Sequence, residues 1–76
     1  MIVRTGKKYR SHDFMSRLKN IRLELGLTQQ GLADKIGVTR ITMVYWETGR
    51  SFPRRVLLDE LATALNVSAD WLAGAE

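Results

Sequence analysis

Cysteine is absent from the 76 residues. That excludes a disulfide framework, a thiolate metal site and a cysteine nucleophile together. A reducing compartment fits this composition. Histidine is nearly absent as well: His12 alone rules out a multi-histidine metal site and leaves one imidazole for acid–base chemistry. No apolar run approaches the roughly 18 residues that a membrane helix needs. The basic stretch 1–10 is followed by neither an apolar segment nor a small-residue cleavage site, so it does not read as a secretory signal. The expectations are a cytoplasmic, non-enzymatic chain with no metal, no cofactor, no membrane contact and no small-molecule ligand. A chain this short buries only about 60% of its unfolded surface. It therefore holds one small domain, with net stability of roughly 5 kcal/mol, near the low end for folded proteins.

What is present is positive charge, unevenly placed. Residues 1–55 hold all 12 Lys and Arg against four acids (Asp13, Glu24, Asp34, Glu47), a balance of 12 − 4 = +8. Residues 56–76 hold Asp59, Glu60, Asp70 and Glu76 and no base, a balance of −4. A chain so polarised offers one end to a polyanion and turns the other away.

The remaining pattern is helical. Glycines at 26, 37 and 49 punctuate it, and no stretch alternates with period two long enough for a strand. A first helix over 11–25 carries Phe14, Leu18, Ile21 and Leu25 on one stripe and stops at Gly26. Thr28 caps a second over 29–36, with Leu32, Ala33 and Ile36 inward. Thr39 caps a third that reaches Thr48 and stops at Gly49. A fourth begins near Pro53 and runs to Leu65, with Leu57 or Leu58, Leu61, Ala62 and Leu65 inward, and Asn66 ends it. Ser68 caps a last short helix whose Trp71 and Leu72 read as core, or as a dimer contact on the acidic pole, away from a polyanion.

Helices over 29–36 and 39–48 joined by a glycine turn describe a helix-turn-helix. Counting from Gln29, apolar residues fall at the fourth, eighth, tenth, fifteenth and eighteenth places (Leu32, Ile36, Val38, Met43, Trp46). Small Ala33 stands fifth, where the helices cross, and Gly37 ninth, where the turn needs φ > 0. Together with Leu27-Thr28-Gln29-Gln30, Thr39, Glu47-Thr48-Gly49, Leu61-Ala62, Leu65-Asn66-Val67-Ser68 and Asp70-Trp71-Leu72, this resembles the lambda-repressor-like, Cro/C1-type helix-turn-helix family over about residues 14–73.

The resemblance implies an all-α, compact five-helix domain over 11–76. It implies a sequence-specific transcriptional regulator, a repressor, that acts as a homodimer on a two-fold operator in the double-stranded DNA of a bacterium or phage. It puts a phosphate-contacting glutamine on Gln29, base-reading positions on Arg40, Ile41, Val44 and Tyr45, Thr42 beside the backbone, and a buried ion pair on Arg22 and Glu47. Three residues depart from the family pattern. Gly31 replaces the acid that usually completes a capping box with Thr28, and adds about 1 kcal/mol of helix cost. Thr48 stands where asparagine or arginine is common, and Arg54 takes the usual Ser/Asp cap slot of the fourth helix.

The residues carry their own argument beside the resemblance. With Met43, Trp46 and Glu47 inward, the third helix shows Arg40, Ile41, Val44 and Tyr45 outward. Arg40 suits guanine O6 and N7, and the apolar residues suit thymine methyls. Arg54 and Arg55 at a helix N-terminus oppose the macrodipole, a misfit that a DNA phosphate resolves, with Arg50 adjacent. Arg4, Lys7, Lys8 and Arg10 form a basic arm over 1–10, suited to a DNA backbone or to a solubilising tail. His12 beside Asp13 lacks a nucleophile and reads as surface. The competing function is an antitoxin-like or adaptor module whose face of Ile41, Val44 and Tyr45 grips a protein partner. The expected site of action of the DNA-binding form is the nucleoid.

Overall fold

A computed structural model describes residues 11–74, and the arm of Arg4, Lys7, Lys8 and Arg10 lies outside them. Five helices follow in order: α1 (Ser11–Glu24), α2 (Gln29–Ile36), α3 (Arg40–Thr48), α4 (Arg55–Leu65) and α5 (Ala69–Leu72). No strand occurs among the described residues. The all-α, five-helix expectation is met.

Local chemistry sets the boundaries. At the starts of α2, α3 and α5, hydroxyls accept first-turn N–H groups: Thr28 from Gly31 at 2.8 Å, Thr39 from Thr42 at 3.2 Å and Ser68 from Trp71 at 2.9 Å. Each such cap contributes about 1 kcal/mol. Gly31 therefore costs only the reciprocal half of the capping box. Four helices end alike, with one N–H reaching back five residues: Leu27 to Arg22, Val38 to Ala33, Arg50 to Tyr45 and Val67 to Ala62. These closures need a left-handed residue just before the donor. Asn66 supplies it after α4 at φ 60°.

Gly49 meets a second demand besides its φ of 82°: a Cβ there would stand 2.5 Å from the Met15 sulfur. α1 thus lies hard against the end of α3. Phe14 continues that contact, its ring 4.8 Å from the ring of Phe52 in the α3–α4 loop.

The core draws on every helix: Phe14 and Leu18, Leu32 and Ala33, Met43 and Trp46, Leu58, Leu61, Ala62 and Leu65, and Leu72. α2 packs on α3 and α4, α1 on α3 and α5, and α4 on α5. Leu58 takes the inward place and Leu57 lies half-buried beside it.

Two core expectations need correction. Leu25 lies one residue beyond α1 and is exposed, because the chain turns there toward Gly26. Trp71 is 38% exposed, since α5 is a single turn that sends Leu72 inward and leaves its neighbour outside. The Arg17 guanidinium covers that indole at 4.9 Å and donates to the Trp71 carbonyl.

Candidate nucleic-acid interface

α3 is held at its base by one carboxylate shared among three helices. Glu47 Oε2 accepts from Arg22 Nε at 2.6 Å, and Oε1 accepts from Arg22 Nη2 and Gln29 Nε2, each at 3.1 Å. A further guanidinium N–H donates to the Leu27 carbonyl at 2.8 Å. The side chains of Arg22 and Glu47 are only 8% and 3% exposed, so each charge depends on the other in place of water. No buried side-chain nitrogen or oxygen among the described residues lacks a partner.

This junction fixes the rotation of α3 about its axis. Met43 and Trp46 enter the core while Ile41 (60% exposed), Tyr45 (41%) and Arg40 face out. Arg40 is the first residue of the helix, where a long side chain reaches past the helix end. Val44 is half-buried against expectation, because it lies between the outward row and the core-facing Met43. The face is therefore Arg40, Ile41 and Tyr45, with Val44 in its floor.

The residues expected to hold phosphate are arranged less uniformly. Gln29 opens α2 and is half-buried, with one amide proton already given to Glu47. The Thr42 hydroxyl lies 3.0 Å from that of Thr39. The Thr48 hydroxyl donates to the Val44 carbonyl at 2.8 Å, closing on its own helix. Arg50 follows the Gly49 turn and is exposed. Arg54 takes the N-cap of α4, where no side chain caps the helix. Arg55 is not the misfit expected from its place at a helix start: its Nε donates to Asp59 one turn on, at 3.1 Å. The i,i+4 spacing carried that signal in the sequence. It had no such signal for Gln29 on Glu47 or for Arg17 on Trp71, which join residues far apart in the chain.

Among the described residues, no three His, Cys, Asp or Glu side chains cluster as metal ligands, and no helix is long and apolar enough to cross a membrane. Two helices meeting at a glycine turn, the second exposing an arginine-led face between polar and basic flanks, define a helix-turn-helix DNA-binding domain.

Comparison with known proteins places it further. A family model described as helix-turn-helix (HTH_3) matches residues 18–72. An HTH-type transcriptional regulator of Methanothermobacter thermautotrophicus is 46% identical over 48 residues, spanning 63% of this chain and 70% of the relative. The regulator YqaE of Bacillus subtilis is 38% identical over 63 residues, 83% of this chain, which spans only 54% of YqaE. The crystal structure of the P22 c2 repressor with a synthetic operator superposes with a TM-score of 0.75 at 29% identity, over 78% of this chain and 89% of that one. The fold also serves elsewhere: Fe(II) HppE, solved with its substrate, matches with a TM-score of 0.77 at 28% identity, over 84% of this chain but 36% of its own. This chain belongs to the helix-turn-helix family of the Cro/C1, lambda-repressor-like type, whose members are DNA-binding regulators of transcription.

Proposed function

We propose that the chain is a non-catalytic, sequence-specific repressor that binds double-stranded DNA as a homodimer on a two-fold operator and works at the nucleoid. The observation that carries this reading is the outward face of Arg40, Ile41 and Tyr45 on a helix whose rotation is fixed by the buried Arg22–Glu47 pair. In this reading α3 enters the major groove. Arg40 reads guanine, and Ile41, Tyr45 and the edge of Val44 meet thymine methyls. Gln29, Thr42, Arg50 and Arg54 face phosphates, with Arg55 shared between phosphate and Asp59. Gln29 would use its second amide proton, so a phosphate bound there would be tied through Glu47 to the base of the reading helix. The arm of Arg4, Lys7, Lys8 and Arg10 follows the DNA backbone. The homodimer supplies two reading helices to two half-sites, as operator symmetry asks.

The test is selection of bound sites from random duplexes with the full chain, followed by titration of the selected site across salt concentrations. A two-fold consensus and a steep fall of log K with log salt are expected. Deleting residues 1–10 should flatten that slope by about 0.9 for each phosphate that the arm had neutralised. Binding to no duplex, or binding indifferent to salt, would favour a protein partner on the apolar face.

A further inference from the structure

Sequence spacing gives Tyr45 and Arg50 no reason to meet. They lie five residues apart on either side of a helix stop, and they read separately as a base contact and a phosphate contact. The fold joins them. The left-handed turn at Gly49 carries the chain back over the last turn of α3, and Arg50 Cζ lies over the Tyr45 ring, 5.3 Å from its centroid.

The backbone beneath is anchored at the same residue. The Tyr45 carbonyl accepts from the N–H groups of Gly49, of Arg50 at 2.9 Å and of Ser51 at 3.4 Å. The Thr48 hydroxyl also approaches it, at 3.5 Å. The segment that carries Arg50 is thus registered on Tyr45 by main chain, whatever the side chain does.

The two contacts of such an arginine do not compete. A guanidinium stacked face-on over a ring keeps its five N–H donors, which lie in its plane, pointing outward. Among the described residues no hydrogen bond or ion pair occupies those donors. Tyr45 remains 41% exposed beneath its cover, so part of the residue stays open to another molecule.

We infer that Arg50 is a positioning residue for Tyr45: its edge takes a DNA phosphate while its face holds the ring, so Arg50 sets preference at a base pair it does not touch. The inference rests on the reading of α3 as the DNA-contacting helix. A ring ordered before binding loses less freedom at the interface, and the cation–ring attraction strengthens as DNA displaces water from it. Phosphate anchoring and base reading are then one coupled act at this end of the helix.

The experiment compares the full chain with Arg50→Ala, Arg50→Lys, Tyr45→Leu and the Arg50→Ala/Tyr45→Leu double variant, on the selected duplex and on single base-pair changes of it. Tyr45→Leu should abolish discrimination at one or two base pairs. Arg50→Ala should reduce discrimination at those same pairs by about threefold to tenfold. It should remove nothing more from the double variant there, a non-additive cycle. Arg50→Lys should recover the salt slope and part of the discrimination. In the free protein, Arg50 side-chain proton resonances should lie upfield under the ring and return in Tyr45→Leu. Unfolding midpoints should match throughout, since the loop is held by main-chain bonds. If Arg50→Ala weakens every duplex by one common factor, or Tyr45→Leu leaves every preference intact, the coupling is overturned while DNA binding stands. A parent chain that prefers no duplex overturns the reading of α3 itself.

Discussion

Two arginine–carboxylate pairs among the described residues share one chemistry in opposite surroundings. Arg22 and Glu47 join α1 to α3, with side chains 8% and 3% exposed. Arg55 and Asp59 stand one turn apart on α4, 61% and 52% exposed. Water solvates the partners of the second pair whether or not they meet, so that contact contributes about 0.5 kcal/mol or less. The first pair has no such alternative, and removing one partner strands a charge in the interior. The value of an ion pair in this domain therefore lies in what its surroundings would do to either half alone.

The hardest trial of that contrast is Arg22→Ala. It should cost roughly 3–5 kcal/mol, enough to unfold much of a domain this small, whereas Arg22→Met with Glu47→Leu should recover most of the loss. Urea denaturation of both variants checks it, and an unfolding midpoint for Arg22→Ala near the parent's would contradict the buried pair. Gly49→Ala ranks next, because it disturbs the helix stop two residues beyond Glu47. The left-handed φ alone costs about 1–2 kcal/mol, and the Met15 sulfur adds crowding. Met15→Ala in the Gly49→Ala background should return only the crowding part in the same measurement.

On the reading face, Arg40→Ala should lose about 1–3 kcal/mol of preference at one G·C pair while leaving the unfolding midpoint unchanged. Equal weakening on all duplexes would make Arg40 a phosphate ligand instead. Smallest of all is Arg55→Ala, expected to shift stability by about 0.5 kcal/mol or less, an effect that fades as salt rises. A loss as large as that from Arg22→Ala would erase the distinction between the two pairs.

Helix boundaries were legible to within a residue or two because their causes are local. Thr28, Thr39 and Ser68 cap starts; Gly37, Gly49 and Asn66 end helices by backbone conformations that residue type reveals. The helix-turn-helix slots were legible for the same reason. What escaped depends on distant packing. Trp71 reads as core from its apolarity, yet its exposure follows from the brevity of α5, and the guanidinium that covers its ring comes from Arg17, 54 residues earlier. Gln29 reads as a surface donor until Glu47, 18 residues on, accepts a hydrogen bond from its amide. Val44 reads as outward on a helical wheel, but half-burial is set by how deeply α3 beds between α1 and α2. In each case residue type was legible, and the neighbour across the fold that decides the outcome was not.

The repeated closure of helix ends bears on how the chain reaches its native state. Each of the four stops is decided inside a window of six residues, as N–H and carbonyl five apart come together. Little loop entropy must be lost before such contacts form, and helical domains rich in them fold in about microseconds to milliseconds. A helix-turn-helix domain of this build that loses its structure is expected to regain it within about milliseconds. For so small a domain, fast recovery then complements a modest depth of stability.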